Sequence, residues 1–487
     1  MHTLTSLNAS EQVAFSADSR SQAGPLPLPS RRISLLFLGV FAVAFAIYVS
    51  IWPSAPVMAP DSQTYMVLAR DMSHGELSHL HLRTPGYPLF LLWTRSAVTP
   101  TRLLFYASLA LHFASISCLA YLLYFLRIRG WAIAILTGIA LLPPYVEPAA
   151  YVLTETLTTF LVSLMFSSLI IWLCGRNRSM LVVFSLAAVS AAFVRPTYEM
   201  LVPALILTVC LVVLLGWVPG MTLRRVCIGM GVALTLVVVS LGAYSFLNYE
   251  RFHYFATSAM SPLTLATRTV TVVEFLPPEY DGVRKILLKY RDPLLLAPGE
   301  DHMALGYIHG AMPEIVQFYG GDEIKALRAV QKMNVGLILA KPMSYLIETL
   351  KLLGPYWMPN DCVLANGGSA IRRALWAALQ LGVMGAFFLQ EVVLAGAAIF
   401  YLSFRLFRGS ADRISWRRAG RLACAWLVGS GIVMYTAVLS CAASTGTPRY
   451  RVPTDLLIVF LSLIGFALWG RAIERLAVTP TAGSVGS

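Results

Sequence analysis

The sequence predicts an all-α polytopic membrane protein with about ten transmembrane helices, within a range of roughly 9 to 13. Hydrophobic residues make up 57% of its 487 residues, and charged residues make up only 13%. The mean hydropathy is +0.70. Apolar runs long enough to cross a bilayer recur along the chain, at 33–52, 103–126, 131–147, 152–174, 179–194, 199–218, 226–247, 379–404, 422–441 and 453–470. This composition excludes an ordinary water-soluble enzyme.

The first element is a tail followed by a membrane anchor. Residues 1–32 are rich in serine and proline, which predicts a disordered segment. The apolar run 33–52 then ends near Val57 to Ala59, which resembles the small-residue end of a signal peptide. About thirty residues precede the run and Pro60 would follow the cut, so we predict an anchor that is not cleaved.

Arginine-bearing loops predict the orientation, because Lys and Arg accumulate on the cytoplasmic side of membrane proteins. Arg31 and Arg32 precede the first span, and the loops after the second, fourth and sixth spans contain Arg127 and Arg129, Arg176 and Arg178, and Arg224 and Arg225. We therefore predict that both termini are cytoplasmic, including a short disordered tail at 476–487. The net charge of +13 comes mostly from the arginines of this predicted cytoplasmic face, which adjoins anionic lipid. It does not indicate nucleic-acid binding.

The predicted membrane region has two parts. Residues 33–247 form a transmembrane module whose first outer loop, 53–102, is amphipathic. Residues 379–475 form the C-terminal transmembrane helices. Both parts follow from the alternation of apolar runs with short polar loops.

Between these parts lies a segment of different composition, 248–378. All six lysines of the chain fall between Lys285 and Lys351, and charges of both signs alternate there. This pattern predicts a small extracytoplasmic helical subdomain. Within it, 334–357 has apolar residues at helical spacing interrupted by charges, which favours an interfacial helix over a crossing.

A single carboxylate, Asp61, stands in the stretch APDSQTY directly after the first apolar run. Residues 61–73 have apolar side chains at helical spacing and predict a short helix lying on the membrane. Asp61 opens this helix after a proline, which is an N-cap position. Capping is therefore one interpretation of Asp61 and a functional carboxylate is another, and the two are compatible if each uses one oxygen.

The same outer loop contains the turn RTPGYP at 83–88. Two prolines and a glycine make this turn rigid, and they hold Arg83 and Tyr87 at the membrane surface. A guanidinium offers forked donors to a phosphate, so Arg83 and Tyr87 are candidates for binding an anionic headgroup. An ordinary interfacial anchor is the alternative.

Further candidates stand at the predicted outer ends of later spans: Glu155, Arg195, Arg449, Tyr450 and Arg451. A carboxylate such as Glu155 is costly beside lipid and is commonly functional, binding a sugar, a cation or an arginine, although it could serve only the helix dipole. Arg449 and Arg451 flank Tyr450 at a helix start and could converge on one anion, or act as anchors. Arg195 could instead pair with Glu199.

The sequence does not establish a cofactor. A divalent cation is possible, and Asp61 and Glu155 are then its predicted ligands. No second acid adjoins Asp61, so a mechanism without metal is favoured. The cysteines lack metal or redox spacing, but Cys362 and Cys441 both lie on the predicted outer side and could pair.

Five motifs in order carry a family resemblance: the carboxylate after the first span, RTPGYP, TETLTTFL at 154–161, VRPTYEMLVP at 194–203 and TPRYRVPTDLLIVFL at 447–461. Together they resemble the GT-C glycosyltransferases. The resemblance is closer to the branch that contains bacterial lipid A aminoarabinose transferase and protein O-mannosyltransferases. It covers most of 33–247 and the last span and is weak in 248–378.

This resemblance implies a specific activity. Family members take a sugar from a polyprenyl-phosphate carrier at the outer face of the membrane and transfer it, with inversion, to an acceptor. Here the acceptor would be an envelope glycan, lipid or protein, and the membrane would be the bacterial cytoplasmic membrane. Asp61 would be the general base. The donor phosphate or sugar would meet Arg83, Tyr87, Glu155, Arg195, Arg449, Tyr450 and Arg451.

An alternative function is a transporter or flippase for an amphiphilic anion or a lipid-linked sugar. Such a protein would also place arginines and acids at the outer ends of its spans. Transporters of this size often consist of two similar halves. The sequence has no evident internal repeat, and the charged segment 248–378 makes the two parts unequal.

Overall fold

The computed structural model describes residues 29–52, 54–295, 307–360, 370–408 and 413–478. These residues form helices, and within them the extended structure is limited to an isolated bridge between Val57 and Tyr151. The helices are α1 Arg31–Ile51, α2 Ser62–Ser73, α3 Gly86–Trp93, α4 Arg102–Phe125, α5 Gly130–Ala140, α6 Pro143–Val146, α7 Glu155–Gly175, α8 Arg178–Val194, α9 Leu201–Leu214, α10 Leu223–Phe252, α11 Met260–Thr269, α12 Asp281–Leu295, α13 Tyr307–Phe318, α14 Glu323–Ala340, α15 Pro342–Lys351, α16 Leu353–Tyr356, α17 Ala370–Arg408, α18 Arg413–Ala443 and α19 Val452–Val478.

The prediction of an all-α membrane protein is confirmed. Among the described residues, eight helical segments are long and apolar enough to span a membrane, namely α1, α4, α7, α9, α10, α17, α18 and α19 with the short turns that adjoin them. Helix α5 and the segment Pro143–Ala150 meet at an angle of 72°, and together they have the length and composition of either a broken ninth span or a re-entrant loop. The predicted run 179–194 occurs as α8, which has 17 residues. Each predicted apolar run therefore corresponds to a helix, except 131–147, which is divided between α5 and α6.

Polar caps decide where several spans begin. The side chains of Ser30, Thr101 and Thr222 accept hydrogen bonds from backbone amides three residues later, at 3.4 Å, 3.4 Å and 3.3 Å. Each bond satisfies an amide that has no partner within its own helix. The sequence thus sets the ends of α1, α4 and α10 locally.

Helix α7 is the centre of the transmembrane bundle and packs against α4, α8 and α19. Several of its hydroxyl groups bond back to its own turn, as when Thr158 donates to the carbonyl of Thr154 at 2.7 Å and Ser168 donates to that of Leu164 at 2.7 Å. Small side chains of this kind let neighbouring helices approach closely. The N-terminal end of α7 is therefore a fixed platform for Glu155.

Helices α11 to α14 form a subdomain with a hydrophobic core of its own, which includes Leu263, Ala266, Leu287, Ile308, Val330 and Leu337. A buried amide also joins its helices, because Asn334 donates to the carbonyl of Pro262 at 2.8 Å and accepts from the hydroxyl of Thr269 at 2.6 Å. This subdomain occupies the lysine-bearing segment that the sequence separated from the spans.

The single interfacial helix predicted at 334–357 is wrong in its bounds. Helix α14 ends at Ala340, and α15 begins at Pro342. Proline lacks a backbone donor and favours the first turn of a helix, and Pro342 is the first residue of α15. The first part of the predicted helix therefore belongs to the subdomain core, and α15 is a separate element.

The turn RTPGYP brings α3 into direct contact with the end of α8. A Cβ atom at Gly86 would lie 2.6 Å from the carbonyl oxygen of Phe193. Only glycine permits this approach, which fixes the position of Arg83 and Tyr87 beside the C-terminal end of α8.

Replacing Gly86 with alanine is expected to push α3 away from α8 and to lower stability by about 1–3 kcal/mol, the usual cost of overpacking. Thermal unfolding of the purified protein in detergent measures this effect. Gly138→Ala is the matched control, because a Cβ at Gly138 meets no atom within 4 Å. Equal melting temperatures for the two variants would contradict the proposed close packing.

Candidate functional site

The first outer loop is fastened to the segment that precedes α7. The backbone of Val57 exchanges two hydrogen bonds with residues 150–152, at 2.8 Å and 3.0 Å. The Ser62 hydroxyl, which is fully buried, donates to the carbonyl of Val152 at 2.7 Å. These bonds bring Asp61 to the N-terminal end of α7, where Glu155 lies.

The carboxylate of Asp61 is held between two arginines. Its Oδ1 lies 3.2 Å from Nη2 of Arg83, and its Oδ2 lies 2.9 Å from Nη2 of Arg449. Asp61 occupies the predicted N-cap position of α2, but its side chain makes no capping hydrogen bond and its backbone is helical, at φ −75° and ψ −20°. The capping interpretation is therefore wrong, because both oxygens face guanidinium groups.

Arg449 bridges Asp61 to a second, buried carboxylate. Its Nε donates to Oε1 of Glu155 at 2.7 Å, and the Glu155 side chain is only 2% exposed. The other Glu155 oxygen, Oε2, is buried without a hydrogen-bond partner. One guanidinium thus links a carboxylate at the opening of the site to one at its base.

Arg195 completes the group that we call the acid–arginine cluster, formed by Asp61, Arg83, Glu155, Arg195 and Arg449. Its Nη2 lies 3.9 Å from Oε1 of Glu155, and its guanidinium stacks over the Tyr450 ring at 5.1 Å. Its Nη1 is buried without a partner. Three arginines against two carboxylates leave the cluster with an excess of one positive charge.

The alternative pairing of Arg195 with Glu199 does not occur. Glu199 accepts a hydrogen bond from the hydroxyl of Thr257 at 2.6 Å. The short turn Pro196–Tyr198 separates Arg195 from α9, so the two residues do not share a continuous helix. The expected spacing of one helical turn is therefore lost.

Three residues that the sequence did not single out position Arg83. Its Nε donates to the hydroxyl of Thr64 at 3.1 Å, and its guanidinium lies 4.8 Å from the centre of the Tyr65 ring. Its carbonyl accepts from the hydroxyl of Tyr244 at 3.2 Å. Thr64 and Tyr65 follow Asp61 within one helical turn, and this spacing could have identified them as neighbours of the site. Tyr244 lies in a span that is distant in the sequence, and no sequence pattern linked it to Arg83.

Tyr87 packs behind Tyr65 and does not contact the carboxylates of the site. It is 1% exposed, and its ring packs edge-on against that of Tyr65 with 5.1 Å between ring centres. Burial raises the pKa of the Tyr87 phenol well above its usual value, so the group stays neutral. Its hydroxyl is buried without a hydrogen-bond partner.

Arg451 is separate from the acid–arginine cluster. It is fully buried, its Nε donates to Oδ1 of Asp455 at 2.7 Å, and its Nη1 donates to the carbonyls of Tyr356 and Met358 at 2.7 Å and 2.8 Å. Arg449 and Arg451 lie in the 3₁₀ turn Pro448–Arg451, where each residue is rotated by about 120°, so side chains two residues apart leave the axis in directions about 120° apart. The expected convergence of both arginines on one anion therefore does not occur.

Arg451→Ala is expected to destabilise the protein by about 3–5 kcal/mol, because it leaves the carboxylate of Asp455 and two carbonyls without their partner. The melting temperature in detergent measures this loss. Donor binding by the fraction that remains folded is expected to be unchanged. A large loss of donor affinity without loss of stability would show that Arg451 binds the ligand.

The charges around Asp61 keep it ionised. Burial alone would raise the pKa of this carboxyl, but the guanidinium groups of Arg449 and Arg83 outweigh burial and lower the pKa below its ordinary value of 3.8. Asp61 therefore carries its negative charge throughout the physiological range. Its side chain is 37% exposed, so it is accessible to a ligand.

The place between Asp61 and Glu155, where a divalent cation was considered, is filled by the guanidinium of Arg449. Among the described residues, no group of three or more His, Cys, Asp or Glu side chains could hold a metal ion. We therefore derive no step through a metal. Of the two cysteines considered as a pair, Cys362 lies outside the described residues and Cys441 is buried.

No family model matches the chain, and no curated protein matches it. Solved structures do resemble it. The archaeal oligosaccharyltransferase AglB from Archaeoglobus fulgidus, in complex with an inhibitory peptide and a dolichol-phosphate, is 12% identical with a TM-score of 0.49. The match covers 94% of this chain and 53% of AglB, so the chain spans about half the length of that protein.

A second similar protein is ArnT from Cupriavidus metallidurans. Its structure bound to undecaprenyl phosphate is 14% identical with a TM-score of 0.35, over 93% of this chain and 80% of ArnT. Its apo structure is 15% identical with a TM-score of 0.33, over 92% and 79%. Because the TM-scores are low, we base the functional proposal on the site itself.

Proposed function

We propose that this protein is an inverting GT-C glycosyltransferase that moves a sugar from a polyprenyl-phosphate carrier to an envelope acceptor. The observation that carries the proposal is Asp61, an ionised and accessible carboxylate held between Arg83 and Arg449. Glycosyl transfer to a hydroxyl needs a base for the acceptor and fixed positive charge for the leaving phosphate. The acid–arginine cluster supplies both within a few ångströms.

In the proposed reaction, the acceptor oxygen attacks the anomeric carbon of the donor sugar while Asp61 accepts the proton from that oxygen. A bond forms between the acceptor oxygen and the anomeric carbon, and the bond from that carbon to the phosphate oxygen breaks. The electron pair of the broken bond leaves with the polyprenyl phosphate. Attack opposite the leaving group inverts the anomeric carbon.

Arg449 and Arg83 stabilise the leaving phosphate. In the unliganded site both guanidinium groups form ion pairs with Asp61, and the cluster has one more positive charge than negative charges. A bound phosphate competes with Asp61 for the same guanidinium donors, because both are oxyanions. The donor thus releases an oxygen of Asp61 from its ion pairs, and the carboxylate becomes a stronger base when the substrate is present.

Arg195 and Glu155 fix the position of this apparatus. Glu155 holds Arg449 by its Nε, and Nη2 of the same guanidinium reaches Asp61. Arg195 lies next to the same carboxylate with one nitrogen free, so it is available to the donor phosphate or sugar. Tyr450 stacks on Arg195 and restricts its movement.

The location of the reaction follows from the arginine-rich loops. The cluster lies at the ends of the spans opposite those loops, so we place it on the outer face of the bacterial cytoplasmic membrane with both termini inside. The helical subdomain lies on the same side, because the amide of Ala259 donates to the carbonyl of His81 at 2.7 Å in the first outer loop. This subdomain is therefore the proposed neighbour of the acceptor.

The pH dependence provides one test of Asp61. Its pKa is lowered below 3.8, so the base stays ionised as the pH falls to about 5 and its activity is lost only below that range. We expect kcat/KM for sugar transfer to show no acid-side inflection between about pH 5 and pH 7. An inflection in that range which disappears in Asp61→Asn would contradict the lowered pKa.

The proposal is tested by reconstituting the protein in liposomes that contain a mixture of undecaprenyl-phosphate sugars and an envelope lipid and glycan extract. Mass spectrometry is expected to show free undecaprenyl phosphate and one newly glycosylated product, both dependent on the protein. Movement of an intact lipid-linked sugar across the bilayer without release of undecaprenyl phosphate would favour the transporter. If neither sugar transfer nor movement of the lipid-linked sugar is observed, both functions are excluded.

A further inference from the structure

Another buried arginine, outside the acid–arginine cluster, has no counter-ion among the residues that the structure describes. Arg268 is on the last turn of α11 and is only 2% exposed. Its Nε and Nη2 are both buried without a hydrogen-bond partner. Full burial of a guanidinium without hydrogen bonds costs several kcal/mol, so such a charge normally has an anionic partner.

The described part of the chain supplies only a weak partner for this charge. The acid whose charge acts on Arg268 is Glu348 on α15, but it forms no ion pair with Arg268 within 4.0 Å and is bound to Lys351 at 2.7 Å. The position of Arg268 at a helix C-terminus is favourable by about 0.3–1 kcal/mol. That gain is too small to offset the desolvation of a buried charge.

The surroundings of Arg268 place it at the level of the membrane surface. Helix α11 packs against α15 and against the outer end of α18, and Tyr345 on α15 donates its hydroxyl to the carbonyl of Ala442 at 2.5 Å. The residues of α15 that face away from this contact are apolar and strongly exposed, namely Met343, Leu346, Ile347 and Leu350. An exposed apolar helix flanked by lysines, here Lys341 and Lys351, is typical of the headgroup region.

We propose that Arg268 is the centre of a binding site for the phosphate of a membrane lipid, between α11, α15 and α18. The guanidinium supplies paired donors to a phosphate oxygen, and the apolar face of α15 adjoins the acyl chains. A phosphate is the anion that a membrane surface offers at this depth. The site is separate from Arg449 and does not depend on the proposed glycosyl transfer.

Arg268→Met tests this site, because methionine fills a similar volume without a charge. If the buried charge has no partner within the protein, the variant is expected to be at least as stable as the wild type in micelles that contain only phosphatidylcholine. Addition of phosphatidylglycerol is expected to raise the melting temperature of the wild type and not that of the variant. Native mass spectrometry is expected to show about tenfold tighter retention of phosphatidylglycerol by the wild type.

Arg328→Met is the matched control, since Arg328 is an exposed arginine of the same subdomain whose guanidinium donates to the carbonyl of His253. It is expected to retain the full response to phosphatidylglycerol. A loss of stability of Arg268→Met that is equal in both lipids, including failure to fold, would overturn the proposal, because the arginine would then be satisfied by the protein. An Arg268-dependent rise with inorganic phosphate alone would overturn the assignment to a lipid.

Discussion

Asp61→Asn is expected to reduce the turnover of sugar transfer by about 10²–10⁴-fold, the usual contribution of a general base. Asparagine has nearly the same shape but cannot accept the acceptor's proton. Because the side chain of Asp61 is 37% exposed, loss of its ion pairs is expected to change stability by less than about 1 kcal/mol. Initial rates with a polyprenyl-phosphate sugar in liposomes measure the loss of turnover.

The same substitution makes a second prediction that a purely structural role would not make. Without the Asp61 carboxylate, Arg83 and Arg449 are both free to bind the donor phosphate. The donor is therefore expected to bind Asp61→Asn at least as tightly as it binds the wild type, although turnover falls. Direct titration with undecaprenyl phosphate separates this outcome from a collapsed site.

Glu76→Gln is the control for a lost carboxylate in the same outer loop. Glu76 is exposed and lies beyond the end of α2, so this variant is expected to retain normal turnover and donor affinity. Near-normal turnover of Asp61→Asn would exclude Asp61 as the base. A parallel loss of turnover and donor affinity would instead assign Asp61 to the organisation of the arginines.

The spans were predictable because their signal is local. An apolar run of about twenty residues is helical in a bilayer whatever surrounds it, since its backbone groups must be satisfied internally. The same holds for the caps and for the helix that follows Asp61. The break at Pro342 was also visible in the sequence, but the apolar periodicity on its two sides concealed it.

The pairing within the site was not predictable from spacing. Arg449 and Glu155 are separated by 294 residues, and only the packing of α7 against α19 brings them together. The sequence identified both residues as candidates and did not identify their contact. Arg449 and Arg451 show the same limit, because their different directions depend on a 3₁₀ turn that residue types alone do not specify.

Arg268 shows a further limit. It lies in a segment whose charges predict a solvated helix, and most of the charged side chains of that subdomain are indeed exposed. Its burial results from contacts of α11 with α15 and α18, which are distant in the sequence. Hydrophobic periodicity identifies the face of a helix that is buried, and it does not show that a charge lies on that face.

Arg449→Met is expected to have the second large effect, and it acts on both function and stability. Loss of one positioned donor to the leaving phosphate lowers kcat/KM by about 10²–10³-fold. The same change leaves Glu155, which is 2% exposed, without its ion pair at 2.7 Å. Breaking a buried pair on one side costs about 3–5 kcal/mol, so a marked fall in melting temperature is also expected.

A double variant separates these two effects. In Glu155→Gln with Arg449→Met, the buried carboxylate and its partner are both neutral, so the melting temperature is expected to recover most of the loss. Sugar transfer is not expected to recover, because the donor phosphate still lacks Arg449. Glu155→Gln alone retains the guanidinium beside Asp61 and is expected to keep its affinity for undecaprenyl phosphate.

The measurements that decide between these roles are the melting temperature in detergent and kcat/KM in liposomes for all four proteins of the cycle. If Arg449 acts on the phosphate, stability is strongly non-additive while the loss of kcat/KM persists in the double variant. If transfer recovers together with stability, Arg449 serves only to neutralise Glu155, and the leaving phosphate must be bound by Arg83 and Arg195. Since Arg195 already lies 3.9 Å from Glu155, that second outcome would also predict a large loss of turnover in Arg195→Met.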